Sequence, residues 1–251
     1  MNLGDDLWDS FKYTSSGLTK VILIGILVFL LDQIDELSWV GPYVTIVEYI
    51  LIFVSFLLGF LVAGYIFRII EETINGSKEP PKFNKLKEMI VHGIKEIAVA
   101  FVYAFVPLLL LFMVTGNFDI YGVRDVLFSG VNFTLDEGYI DILIVLELVL
   151  GFILDALLIA AILNMAHHDG SFRSGFDFKK ILLKIKKIGL VQLIVADIFI
   201  ISIFFFDWFI LTDTLADGFS WAGLIISQLL ISPFIIVFTA RLMGLIDEST
   251  E

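Results

Sequence analysis

The 251-residue chain is 59% hydrophobic, contains 25 Phe and no Cys, and carries a formal net charge of −12. A soluble domain is about 45–50% apolar, and a chain of this length cannot hide such an excess in one core, so lipid is the expected solvent for much of its surface. Without cysteine there is no disulfide framework and no thiolate metal site, and without the alternation of a membrane barrel the apolar runs read as helices with internally satisfied backbones.

The first residues, Met1 to Asp6, are acidic, with no basic stretch and no small-residue cleavage site, so no removable signal peptide is expected. Residues 5–18 bring Leu7, Trp8, Phe11 and Leu18 near helical spacing. They predict an interfacial helix with Trp8 and Tyr13 at headgroup depth. A first span follows at about 18–31, but only 21–31 is uncharged. That is short for a hydrocarbon core of about 30 Å, and a re-entrant segment is the alternative. After an acidic loop at 32–42, a second span runs over 43–67, with 19 uncharged residues between Glu48 and Arg68.

Residues 82–95 place Phe83, Leu86, Met89, Ile90 and Ile94 on one stripe and Lys82, Lys85, Lys87, Glu88 and Lys95 largely off it, which predicts a second interfacial helix. The third span, 97–116, is uncharged and contains Pro107, which predicts a kink. Span four, 139–166, is interrupted by Glu147 and Asp155. A third basic amphipathic helix follows, with Phe178, Ile181, Leu182, Ile185 and Ile188 facing one way and Lys179, Lys180, Lys184, Lys186 and Lys187 mostly the other. Span five is 188–206, broken by Asp197, and span six is 219–240, ending at Arg241.

The expected fold is therefore an all-α integral membrane protein of six transmembrane helices. They form three hairpin repeats in a single membrane domain, at roughly 5–70, 80–168 and 174–247, each preceded by a basic amphipathic interfacial helix. Parallel helical repeats about an axis normal to the bilayer are a known membrane architecture. Even-numbered spans end alike, in Ala63-Gly64-Tyr65, Ala161-Ile162-Leu163-Asn164 and Ala240-Arg241-Leu242. With six spans, fifteen of the sixteen Lys and Arg residues share one side, and only Arg124 lies opposite. The positive-inside rule makes that side cytoplasmic and puts both termini there, in the plasma membrane. The basic helices then lie on anionic lipid, at about 1 kcal/mol per Lys or Arg near the surface. Setting topology alone is the plainer role for these charges.

Two buried acids are the first candidates for chemistry. Asp155 lies eleven residues before Ala166, and Asp197 nine residues into span five. At about 1.5 Å per residue both fall near the bilayer centre. An ionised carboxylate there costs several kcal/mol, so each must face the bundle, pair, or take up a proton. Glu147 precedes Asp155 on the same face of span four. The functional reading is a proton or cation path through Asp155, Asp197 and Glu147; the competing one is interhelical hydrogen-bond glue. Glu48 sits where it can reach water. His167-His168-Asp169 suggests a metal site, but adjacent helical His residues diverge by about 100°, which favours a polar span terminus. Asn132-Phe133-Thr134 is a glycosylation acceptor on the outer side, making Asn132 a possible modification site, whereas Asn75-Gly76-Ser77 lies inside. Small residues at Gly59 and Ala63, and at Ala156 and Ala160, predict close helix packing. The Gly-x-Gly-Asp and Tyr-Asp contexts of intramembrane aspartyl proteases are missing, as are a Ser/His pair, a phosphate loop, a zinc signature and a nucleotide fingerprint. No enzymatic activity, cofactor, metal or nucleic-acid partner is expected.

Gly64-Tyr65, Arg68, Gly76, Pro81-Lys82-Phe83 and Gly93-Ile94-Lys95, with Phe11-Lys12-Tyr13 and Phe176-Asp177-Phe178, resemble a largely archaeal family of multi-spanning proteins, catalogued as domain of unknown function four thousand and thirteen. The resemblance covers most of the chain and implies an archaeal plasma membrane. It supplies no activity, ligand or catalytic residue, and His167-His168 does not match its pattern. The expected function is a non-enzymatic membrane component or partner subunit whose acidic outer loops meet other membrane or envelope proteins. The alternative is a small transporter or channel using Asp155 and Asp197.

Overall fold

The computed structural model describes residues 3–38, 46–115, 137–207, 223 and 225–248. Eight α-helices are described: α1 (Leu3–Ser16), α2 (Leu18–Ser38), α3 (Ile46–Ile74), α4 (Leu86–Thr115), α5 (Glu137–Ala166), α6 (Phe178–Ile188), α7 (Leu190–Phe205) and α8 (Ser232–Glu248). A 3-10 turn at Phe172–Phe176 precedes α6, and a π-helical turn at Ser227–Ile231 leads into α8. No strand occurs among the described residues.

Three segments are individually long and apolar enough to cross a membrane: Tyr49–Ile74, Val149–Ala166 and Ser227–Asp247. Two bent pairs qualify when each is taken together, α1 with α2 at 81° and α6 with α7 at 87°, which raises the number to five. Both bends fall at glycine. Gly17 joins the first pair, and Gly189, at φ 101°, joins the second. That backbone conformation is open to glycine at no steric cost.

The second unit departs from expectation. Residues 82–95 do not form a separate interfacial helix, because α4 runs unbroken from Leu86 to Thr115, through Pro107. Residues 82–85 are non-helical, with Lys85 at φ 58°. Pro80-Pro81 end the preceding segment, and no glycine stands between Lys95 and Ile97 to interrupt the helical ladder. The nearest one, Gly93, is helical and lies against α3.

Helices α3, α5 and α8 pack against one another at the centre. The others sit in the grooves between them: α2 between α8 and α3, α4 between α3 and α5, and α7 between α5 and α8. Tyr65, Phe67 and Ile70 of α3, Ala156, Ala160 and Leu163 of α5, and Ala240, Leu242 and Ile246 of α8 are buried. Phe53, Phe56, Phe101 and Val191 are exposed, so the outer surface is apolar too. A lipid-facing bundle has this inside-and-outside apolarity, because hydrocarbon does not penalise exposed Phe.

The closest helix contact is made by glycine. A Cβ at Gly64 would lie 1.8 Å from the Met89 carbonyl oxygen, and one at Gly93 would lie 2.0 Å from that of Phe60. Ala156 and Ala160 are fully buried, as their spacing predicts. Gly59 is not at a contact among the described residues, since a Cβ there meets none of their atoms within 4 Å. The close approach has moved five residues along α3, to the level where α4 begins its own helix.

Candidate functional site

Asp155 and Asp197 lie on neighbouring helices: α5 and α7 pack side by side. Asp197 is 6% exposed, between buried Leu193 and Ala196. Among the described residues its Oδ2 has no hydrogen-bond partner. Asp155 is half-buried beside fully buried Ala156. Glu147 lies on α5 two turns earlier, but its side chain, like all of Asn132, falls outside the described residues. The pair places two carboxyl groups in an apolar environment, one of them with an unsatisfied oxygen, which is a costly arrangement unless charge or hydrogen-bonding is supplied.

Where α1, the 75–85 connection, the 167–177 turn and the C-terminal part of α8 meet, polar side chains hold loop carbonyls. The Tyr65 hydroxyl donates to the Pro81 carbonyl at 3.0 Å, and Tyr103 donates to Gly175 at 3.0 Å. Arg68 donates to the Lys82 and Asn84 carbonyls at 3.2 Å, Asn164 to Ser174 at 2.8 Å, and Lys95 to Gly170 at 2.9 Å. Lys20 reaches the Pro80 carbonyl. Buried Arg241, 4% exposed, ties α8 to α1 and to the 75–85 connection: it pairs with Asp9, donates to the Ser77 carbonyl at 2.6 Å, and lies 4.5 Å over the Tyr13 ring.

Sequence reasoning left these partners unassigned because they are remote in the chain. His167 and His168 diverge as their helical spacing requires. His167 Nε2 is 2.5 Å from Asp247 Oδ2, and Lys184 donates to both oxygens of Asp247 at 2.7 and 2.8 Å. His168 Nδ1 lies 2.7 Å from the Asn164 carbonyl, while its Nε2 is 3.0 Å from Lys180 Nζ. The histidine pair thus forms a polar helix end.

A cavity of about 310 Å³ opens between the end of α3 and the start of α4, capped by Asp169. Two ion pairs line it, Arg68–Glu72 and Lys85–Glu88, each at 3.1 Å. Glu71 and Asp169 add acidity. Burial and Lys95 hold His92 below its ordinary value.

Glu96 is a further acid that sequence reasoning missed, because it follows Lys95 and reads as the end of a charged run. It stands immediately before the uncharged stretch that starts at Ile97. The residue is only partly buried, but its carboxyl is tucked in and Oε2 has no hydrogen-bond partner among the described residues. Burial pushes that carboxyl up to about 8.

The profile described as protein of unknown function, DUF4013, matches residues 48–212. The chain belongs to the DUF4013 family. The match begins at α3 and covers α4, α5, α6 and α7, so both Asp155 and Asp197 lie within the DUF4013 region, whereas Arg241 and Asp247 lie beyond it. No curated protein and no solved structure matches the chain significantly.

Proposed function

We propose that this DUF4013 protein is a non-enzymatic, multi-pass plasma-membrane component of six spans in three hairpins. Its polar end and both termini are cytoplasmic, and its acidic outer loops are available to other membrane or envelope proteins. An archaeal membrane is the setting that the family resemblance implies. The observation that carries the reading is the pair of near-right-angle bends, 81° and 87°. A helix lying in the headgroup plane and turning into the bilayer makes such an angle. Helix α6 has the composition for that position: buried Ile181 and Ile188 face the bundle, exposed Phe178, Leu182 and Leu183 face outward, and Lys179, Lys180, Lys186 and Lys187 flank them. Anionic lipid is the partner for those lysines.

The native chain has no cysteine, so single-cysteine variants report topology cleanly. A membrane-impermeant maleimide should label Ser129→Cys on intact cells, and Ser249→Cys only after permeabilisation. Labelling of both without permeabilisation, or the reverse pattern, defeats the proposed topology.

A second reading is supported by the contact between α5, which carries Asp155, and α7, which carries Asp197: a proton or cation path between them. Asp155→Asn and Asp197→Asn should then abolish a flux in liposomes while leaving folding intact. Intramembrane glue would instead lose thermal stability with no change in flux.

A further inference from the structure

We infer that the cavity between α3, α4 and the turn after α5 is a binding site for a short aliphatic diamine, a cation with one positive charge at each end. The site needs neither the six spans nor the sidedness proposed above. Its volume of about 310 Å³ lies at the small end of ligand pockets, which run from about 300 to 1,000 Å³. Two cations, Arg68 and Lys85, face four acids, Glu71, Glu72, Glu88 and Asp169, which leaves an excess of two negative charges. Arg68–Glu72 and Lys85–Glu88 cancel as ion pairs at 3.1 Å. Arg68 is further committed to the Lys82 and Asn84 carbonyls. Glu71 and Asp169 form no ion pair among the described residues. The two uncompensated charges therefore come from different elements, one from α3 and one from the turn after α5.

His92 adds an uncharged acceptor to the lining. Burial, then Lys95, hold its imidazole below the ordinary value, so at neutral pH the ring is neutral and one of its nitrogens accepts. Its buried Nδ1 has no hydrogen-bond partner among the described residues. An alkylammonium group brings three donors and no acceptor, which suits two carboxylates and an imidazole and does not suit an anion. The rest of the wall is apolar: Gly64 has no side chain, and Met89 is buried. That surface fits the methylenes between two charged ends. A metal ion is a poorer fit. Divalent calcium and magnesium take six or more oxygens, whereas no three acidic or histidine side chains among the described residues are grouped to hold an ion. The backbone of the walls is unusual as well. Lys85 at φ 58° and Asp169 at φ 51° are the positive-φ non-glycine residues among those described, and both line this cavity. Such conformations cluster at ligand sites, where surrounding structure holds them in place.

The test is calorimetric titration of putrescine, a four-carbon diamine, into the full chain in phosphatidylcholine nanodiscs at neutral pH, with the heat of empty nanodiscs subtracted. Saturable one-to-one binding is expected. Glu71→Gln and Asp169→Asn should each weaken it by about tenfold or more, through loss of a charged hydrogen-bond acceptor. Asn takes up the left-handed conformation at position 169 as Asp does. Glu79→Gln makes the same charge change at an exposed position outside the cavity and should leave the affinity unchanged. Butylamine, with one charge on the same carbon chain, should also bind about tenfold more weakly or worse. The inference is overturned by absence of saturable putrescine binding, by equal affinity for butylamine, or by equal losses in Glu79→Gln and the two cavity variants. Displacement of putrescine by Mg2+, where Na+ at the same ionic strength has no effect, overturns it in favour of a metal. Weaker putrescine binding in phosphatidylethanolamine nanodiscs overturns it in favour of a lipid amine. Should Glu71→Gln fail to fold, Asp169→Asn and the amine comparison on the native chain still decide the matter.

Discussion

Gly64→Ala should be among the most damaging single-methyl additions to this protein, while Gly59→Ala, on the same helix, should be harmless. At Gly64 the added Cβ would sit 1.8 Å from the Met89 carbonyl oxygen, with the Met89 carbonyl carbon at 2.5 Å and Cα at 2.9 Å. Ordinary contact begins at 3.4 Å, so α3 and α4 must part by about 1.6 Å. The obstacle is backbone, which has no rotamer to move aside. A radial gap of 0.5–1 Å already forfeits a quarter to a half of each dispersion contact, so the contact loosens along its length. The cost is about 3 kcal/mol, at the upper end for overpacking. At Gly59 there is only open space, and alanine gains up to about 1 kcal/mol from helix propensity. Thermal unfolding of the two variants in the same detergent gives the comparison. Equal stabilities, or a Gly64→Ala protein as stable as the native one, would refute the proposed α3–α4 contact.

Arg241→Met should cost about 3 kcal/mol in detergent unfolding, because the buried guanidinium serves Asp9, Ser77 and Tyr13 together. In Asp9→Asn the guanidinium, only 4% exposed, loses its charge partner but keeps an amide oxygen as acceptor, so the loss should be smaller, about 1–2 kcal/mol; equal losses would contradict this division. Glu96 binds its proton more tightly folded than unfolded, its carboxyl being raised from 4.5 to about 8. Its burial therefore does not penalise folding below about pH 4.5, destabilises progressively as pH rises, and reaches its full penalty above about 8. Glu96→Gln should consequently gain stability relative to native as pH rises from 4.5 to 9, with a ceiling of about 5 kcal/mol; a pH-independent difference would sink the assignment. Gly189→Ala, at φ 101°, should lose about 1–2 kcal/mol through a conformation that L-residues avoid, and unchanged stability would show that the α6–α7 bend does not need glycine.

The sequence by itself placed the apolar helices and showed an excess of apolar residues too large for one core. Hydropathy over twenty residues is a local sum, so α3 and α5 are legible without partners, whereas the bends at Gly17 and Gly189 were not anticipated. The polar ends were legible for the same reason, His167 and His168 diverging as helical spacing requires. What only the tertiary structure decided is which face of each helix meets another helix. In water, an apolar stripe identifies the buried side. In lipid both sides are apolar, so exposed Phe53 and Phe56 and buried Phe67 and Ile70 look alike in the sequence of α3. That is why Gly59 was expected at a contact which Gly64 and Gly93 make, and why the charged start of α4 read as a separate helix. It is also why Arg241 could not be matched with Asp9: the spacing of each residue along its own helix is local, but the groove that receives it belongs to another helix.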